Sequence, residues 1–359
     1  GKIELPVNVQ PGLHPQVAAI AVGYGRESAG KVGNAIGVNV LALATKEGSE
    51  WAFSGQPIQL RKTGRFYKLA ATQWHFSAEG RPIINDVTLA EFKNQPSAQM
   101  HTNPHLRMET IPTMWPEHQY KGNRWGMAID LSACTGCGAC VIACQAENNI
   151  PVVGRENVRV SRQMHWIRID RYYSGSPEQP DTLFQPMLCQ HCENAPCETV
   201  CPVLATVHDD EGLNSQVYNR CVGTRYCQNN CPYKVRRFNF FDHWKSYVGN
   251  ANLVWNPDVT VRTRGIMEKC TFCIQRINDG KRKAKDEGKP LADGAIKSAC
   301  QQTCPNDAIV FGNMNDRQAR VTKLKDDARA FRVLEVLNAK PSISYLTKVR
   351  NKEMGGHHS

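Results

Sequence analysis

The chain has no run of eighteen apolar residues, so no stretch of it is long enough to cross a bilayer as a helix. It shows no secretory leader pattern, and its first residue is Gly1 rather than Met. The opening Gly1-Lys2-Ile3-Glu4-Leu5 carries no start signal, which leads us to expect a processed product or part of a longer polypeptide. Apolar residues make up 41% of the sequence, a little below the globular average, while glycine (27) and proline (20) are common. That balance fits a loop-rich protein stapled by something besides a core. Residues 1–92 hold no cysteine, although the chain has fifteen.

All fifteen cysteines fall into four runs. They are Cys134-x2-Cys137-x2-Cys140-x3-Cys144; Cys189-x2-Cys192-x4-Cys197-x3-Cys201-Pro202; Cys221-x5-Cys227-x3-Cys231-Pro232; and Cys270-x2-Cys273, an insert, then Cys300-x3-Cys304-Pro305. A tight loop of three thiolates with a remote fourth is how a chain holds a cubane iron–sulfur cluster. In the bacterial ferredoxin run the fourth cysteine serves the other cluster of a pair. Two pairs of runs imply four clusters, and four clusters in one chain imply an electron wire. Zinc prefers four ligands in two separated knuckles, which leaves the x3-Cys-Pro members without work. Disulfides suit small secreted domains without a core, and here the cysteine count is odd.

The third run lacks one thiol. Where its second ligand belongs stands Thr224, whose hydroxyl is a hard, poor ligand for iron in a sulfide cluster. A [3Fe–4S] centre is expected there and [4Fe–4S] centres at the other three. The alternative is a fourth iron held by the threonine or by water.

The formal charge of +11 takes every cysteine as neutral. Each oxidised centre with its thiolates carries roughly −2, so four contribute about −8. Much of the basic excess offsets that buried charge, and nucleic acid is not an expected partner. The basic run at 281–285 reads as a solvated helix face, with docking to an acidic partner as the alternative.

The fold expected is α+β, with duplicated bacterial-ferredoxin-like units and long loops after a β-rich N-terminal region. Domains are expected at 1–92 (β-rich), 93–123 (extended linker, Pro112 to Pro116 included), 124–315 (four-cluster domain) and 316–359 (helical tail). Candidate strands lie at 17–22, 37–44, 66–71, 125–130, 158–160, 165–173 and 308–311. Helices are expected from about Cys140, over 294–304 and 316–337, and at 345–350. Gly30 to Asn34 reads as a turn in preference to a phosphate cradle. His191, between two ligand positions, reads as a loop histidine bonded to backbone, with proton coupling as the alternative. The terminal His357 and His358 read as a flexible end. Phe238, Phe240, Phe241 and Trp244 are expected either at a partner interface or in the core.

Together, these runs and their order resemble the four-cluster electron-transfer subunits of the molybdopterin oxidoreductase superfamily over about Arg124 to Asn313. Runs two and three, with the tail Lys340-Pro341-Ser342-Ile343-Ser344-Tyr345, look closer still to the iron–sulfur subunits of alternative complex III, the ActB family. That resemblance implies that 1–92 is the C-terminal barrel piece of a molybdopterin-enzyme-like domain without molybdopterin. It implies four ligand sets: Cys134, Cys137, Cys140 and Cys304; Cys270, Cys273, Cys300 and Cys144; Cys189, Cys192, Cys197 and Cys231; and, for the three-iron centre, Cys221, Cys227 and Cys201. It implies no catalytic residue in this chain. Its expected role is electron transfer in a membrane-bound quinol:acceptor oxidoreductase at the periplasmic face of the bacterial inner membrane. The implied partners are an integral quinol-oxidising subunit of the polysulfide-reductase anchor type, a multihaem cytochrome c subunit and other complex subunits. The rivals are the electron-transfer subunit of a molybdenum reductase and a freestanding soluble polyferredoxin.

Overall fold

The computed structural model describes residues 1–81, 83–96, 116–176 and 178–352. The chain divides into two compact units, one made of Gly1–Ala70 with Gly175–Asp181, the other of Ala71–Ser174 with Thr182–Ser359.

Over residues 1–70 the only strands described are the ribbon Thr45–Glu47 paired antiparallel with Glu50–Ala52. The strands expected at 17–22 and 66–71 are irregular backbone, and 37–44 contains the 3-10 turn Val40–Leu43. The β-rich expectation therefore does not hold for these residues. Strand preference is largely a preference for a pleated, half-buried surface, and here that surface is missing: Val17 is 53% exposed, Val22 61% and Phe66 91%. The glycine-rich stretch read as a turn forms a single helical turn, Gly30–Gly33, and the Asn34 side chain beyond it accepts the Ala29 N–H.

The second unit is built on a four-stranded sheet in the order Ile309–Asn313, Trp125–Asp130, Ile343–Leu346, Ala330–Phe331. Strand Trp125–Asp130 pairs antiparallel with Ile309–Asn313 and parallel with Ile343–Leu346. It is buried on both faces, which explains its unbroken apolar run. Trp125, Met127 and Ile129 face the cysteine-rich core together with Phe311. Ala128 faces the opposite cluster, with Val310, Val321 and Leu346. Helix Ala139–Glu147 follows the first cysteine loop, and helix Ile274–Asp286 follows Cys273. A hairpin of Arg168–Gly175 and Pro180–Met187, and short ribbons at Thr206–His208/Asn214–Gln216 and Arg237–Phe238/Met267–Glu268, frame runs two and three.

Several local expectations are corrected. Val158 falls in helix Gly154–Arg159, where Asn157 Nδ2 donates to Val153 O at 2.8 Å; three alternating residues are too few to set a period. Only Ala299–Gln302 of the helix expected over 294–304 forms, because Gly294 sits at φ +76° and Ser298 caps a later start. The tail contains helix Arg320–Lys325, then strand Ala330–Phe331 at the sheet edge. Residues 345–350 are strand, in Ile343–Leu346 and Lys348–Arg350, since Ile343 and Tyr345 bury fully at period two. Most of the expected linker (97–115) and the terminal histidines lie outside the described residues.

Candidate iron–sulfur centres

The fifteen thiols gather into four groups, each drawing on two of the cysteine runs, and all fifteen cysteines are free. Cys134, Cys137, Cys140 and Cys304 line one cavity with Gly136, Gly138 and Pro305. Gly136 has φ +71°, and a Cβ there would lie 2.5 Å from the Phe184 ring, so the loop needs glycine. Cys189, Cys192, Cys197 and Cys231 line a second cavity with Pro196, Pro232 and Arg236. Cys201, Cys221 and Cys227 line a third, and the exposed Thr224 lines it with them. Cys144, Cys270, Cys273 and Cys300 form a fully buried fourth group, in which Asn148 Nδ2 reaches the sulfurs of both Cys144 and Cys273 at 3.7 Å.

Helix geometry explains the x3 spacing. Cys140 and Cys144 sit one turn apart on one face of helix Ala139–Glu147, about 6 Å along its axis. One helix turn therefore puts a thiol in each of two neighbouring groups. Cys227 and Cys231 do the same around helix Tyr226–Asn230.

The electrostatics favour a polynuclear cation over bare thiolates. Burial, then the facing thiols of Cys300, Cys134 and Cys137, pushes Cys140 up to about 12. Burial also pushes Cys300 and Cys197 up to about 12, and Cys192, Cys144 and Cys270 well above the ordinary thiol value. Thiols so placed ionise only when positive charge sits among them. Soft sulfur donors grouped in this way suit iron–sulfur clusters.

Donors point at the sulfurs throughout. Backbone N–H groups of Ala308, Ala205, Met267, Phe272 and Ala299 approach Cys304, Cys201, Cys221, Cys270 and Cys273 at 3.2–3.5 Å. The Ser298 hydroxyl lies 3.2 Å from Cys300 Sγ. At Cys201 burial raises the thiol, but backbone N–H groups of Val203, Thr206 and Ala205 outweigh it and hold the thiol below its ordinary value. Asn148, Ser298 and Arg236 were not singled out from the sequence; the signal available was only their closeness to a cysteine along the backbone.

His191 is buried, its Nδ1 accepts the Asn214 N–H at 3.1 Å, and its ring stacks on Phe272 at 3.9 Å. Burial, then the charge of Lys269, holds it far below the ordinary histidine value, so it is neutral, in keeping with a backbone-bonded loop histidine. In the basic stretch, Lys281 pairs with Glu211, and Arg282 and Lys283 with Asp279. Phe238 and Phe240 pack edge to face and are half-buried, while Phe241 and Trp244 are 48% and 40% exposed.

A buried array of thiol groups with converging N–H donors defines an iron–sulfur protein of the ferredoxin type. The sequence matches two family models, each described as a 4Fe-4S dicluster domain, over the overlapping residues 133–205 and 180–246. It is 43% identical over 230 residues to the menaquinone reductase iron–sulfur cluster-binding subunit of Nitratidesulfovibrio vulgaris, covering 63% of this chain and 89% of that one. It is 33% identical over 260 residues to the Hdr-like menaquinol oxidoreductase iron–sulfur subunit 1 of Archaeoglobus fulgidus, covering 67% and 90%. It is 33% identical over 224 residues to the B component of polysulfide reductase from Wolinella succinogenes, covering 61% and 92%. The chain belongs to this family of iron–sulfur subunits of molybdopterin-oxidoreductase-type complexes, and electron transfer through 4Fe–4S clusters is the work of that family.

Proposed function

We propose that this chain carries electrons through three [4Fe–4S] clusters and one [3Fe–4S] cluster in a membrane-associated quinol:acceptor oxidoreductase of the alternative complex III type. The ligand sets are Cys134, Cys137, Cys140 and Cys304; Cys144, Cys270, Cys273 and Cys300; Cys189, Cys192, Cys197 and Cys231; and, for the three-iron centre, Cys201, Cys221 and Cys227. The observation that carries this reading is the third cavity, where three thiols share a wall with Thr224 and no fourth thiol. Bound clusters supply one-electron redox chemistry. The residues of the chain would hold them through thiols that one helix turn hands to neighbouring groups, bury ten of the fifteen thiols from water, and aim N–H donors at sulfur to stabilise added negative charge.

A quinol-oxidising partner is supported by the surface beside the three-thiol cavity. Val222 and Tyr226, which line it, are 68% and 53% exposed, Leu204 nearby is 64% exposed, and Phe241 and Trp244 follow. Such a patch suits an apolar partner surface. No described helix is long and apolar enough to cross a membrane, so quinol contact belongs to a partner subunit. We place the complex at the periplasmic face, with a multihaem cytochrome c subunit among its partners. We read residues 1–92 as the end of a molybdopterin-enzyme-like domain holding no cofactor; its many exposed apolar side chains support a core shared with further protein.

A second reading, the electron-transfer subunit of a molybdenum reductase, is favoured by the likeness to the polysulfide reductase component and to a putative dimethyl sulfoxide reductase iron–sulfur subunit of Halobacterium salinarum. Purification from native membranes with subunit identification, metal analysis and haem staining separates the two. Haem c without molybdenum supports the first reading, and stoichiometric molybdenum overturns it. EPR of the oxidised protein tests the cluster set: a missing three-iron signal removes the [3Fe–4S] assignment.

A further inference from the structure

Arg236 lies five residues beyond Cys231 and is 1% exposed. Its Nη1 reaches Cys197 Sγ at 3.5 Å and donates to Asn214 Oδ1 at 3.3 Å. Its Nη2 donates to Thr206 Oγ1 at 2.8 Å and to the Gln216 amide oxygen. Arg236 lines the cavity of Cys189, Cys192, Cys197 and Cys231, whereas Thr206 and Gln216 line that of Cys201, Cys221 and Cys227. The guanidinium thus bridges the walls of two sulfur-lined cavities.

Its surroundings are unusual for a buried cation. Every oxygen it bonds is a neutral amide or hydroxyl, and Nε has no acceptor. Among the described residues no carboxylate forms an ion pair with it. The nearest acid in the network, Glu198, is held one residue away: its Oε1 accepts from Asn214 Nδ2 and contacts His208 Nδ1 at 2.9 Å. The clamp itself is a register pair of the Thr206–His208/Asn214–Gln216 ribbon, in which Thr206 stands opposite Gln216. A buried charge without a counter-charge is strongly unfavourable. Among the described residues, the anions available to Arg236 are the cysteine sulfurs.

We propose that Arg236 is a shared counter-ion, a positioning residue whose charge raises the reduction potentials of both clusters whose cavities it joins. This rests on the ligand sets proposed above. An added electron makes a cluster more negative, and a fixed cation in a low-dielectric interior stabilises that state. Because one cation faces both cavities, it favours the electron on either side of the step between them. A neutral clamp is required for this, since a carboxylate in the same place would cancel the field.

The test is an EPR-monitored redox titration of the intact complex carrying Arg236→Gln, Arg236→Lys or Gln216→Glu. The last keeps every heavy-atom position and sets a carboxylate on the guanidinium. With iron content at the wild-type level, Arg236→Gln and Gln216→Glu are expected to shift the one-electron reduction equilibrium of both clusters at least tenfold towards the oxidised form, 59 mV each. Arg236→Lys is expected to stay within threefold of wild type, as is the cluster of Cys134, Cys137, Cys140 and Cys304 in every variant. If Arg236→Gln loses iron, Gln216→Glu decides alone. Full signals with both reduction equilibria within twofold of wild type overturn the counter-ion role. Absence of iron–sulfur signals from the wild-type complex overturns the ligand sets and this inference with them.

Discussion

Arg262 and Glu268 form an ion pair sealed from solvent: Arg262 Nη2 donates to Glu268 Oε2 at 3.0 Å, and the side chains are 0% and 1% exposed. The same Nη2 donates to the carbonyls of Asn148 and Asn149 at 2.8 and 3.1 Å. Glu268 also accepts from the Trp166 indole at 3.0 Å and from Asn239 at 2.6 Å. The pair therefore ties the residue two before Cys270 to the chain just past the helix that carries Cys144. It closes the frame around the fully buried thiol group.

Glu268→Gln leaves Arg262 buried without its anion. Breaking one partner of such a pair costs about 3–5 kcal/mol. We expect the free energy of urea unfolding, followed by cluster absorbance, to fall by that amount and the midpoint to move lower, with iron lost from one site first. A midpoint equal to wild type would mean that solvent reaches the guanidinium.

Thr224→Cys supplies the thiol that the third cavity lacks. On the proposed cluster set, the variant is expected to lack the three-iron EPR signal of the oxidised protein and, when reduced, to show an additional [4Fe–4S] spectrum, with iron rising by about one per chain, as the ligand count demands. An unchanged three-iron signal would show that the cysteine at this position does not reach the vacant corner.

Ser298 has two tasks: its hydroxyl accepts the Gln301 N–H as the cap of Ala299–Gln302, and it lies 3.2 Å from Cys300 Sγ. Ser298→Ala should cost about 1 kcal/mol in unfolding. It should also lower the potential of one cluster, because a donor to sulfur stabilises the reduced state. Loss of stability with every cluster potential unmoved would reduce the hydroxyl to its capping role.

Lys325, on helix Arg320–Lys325, is lowered from 10.5 to about 8, first by burial and then by the charges of Arg332 and Arg124. Between these values the unfolded chain binds a proton that the folded chain does not, so stability rises with pH from about 8 to about 10.5. Below pH 8 the full cost of charging a buried amine applies. Lys325→Met should raise the urea midpoint at pH 7 and flatten its rise between pH 8 and 9.5. Parallel pH profiles for the two proteins would contradict this.

The cysteine runs were readable because ligand spacing is local: three thiols within a few residues meet whatever the rest of the chain does. The strand Trp125–Asp130 and the helix from Cys140 were readable for the same reason, an apolar run and a set of good helix formers. The N-terminal strands and the tail were not. Residues 345–350 have helix-compatible composition, but the edge of strand Trp125–Asp130 offers hydrogen bonds and a buried face, and tertiary pairing outweighs local preference. In the first unit the reverse holds: 17–22 and 66–71 have strand-like composition and no described partner strand.

By itself the sequence pointed to the chemistry: fifteen thiols in four runs, with a threonine where the third run would carry another cysteine. The tertiary structure decided what surrounds the sulfurs. Asn148, Ser298 and the Arg236 clamp act across folds of backbone, where a donor's reach depends on three-dimensional proximity that no spacing along the chain encodes. Ligands close to one another in sequence meet by local geometry, whereas the groups that set their electrostatic environment meet only when the whole core has packed.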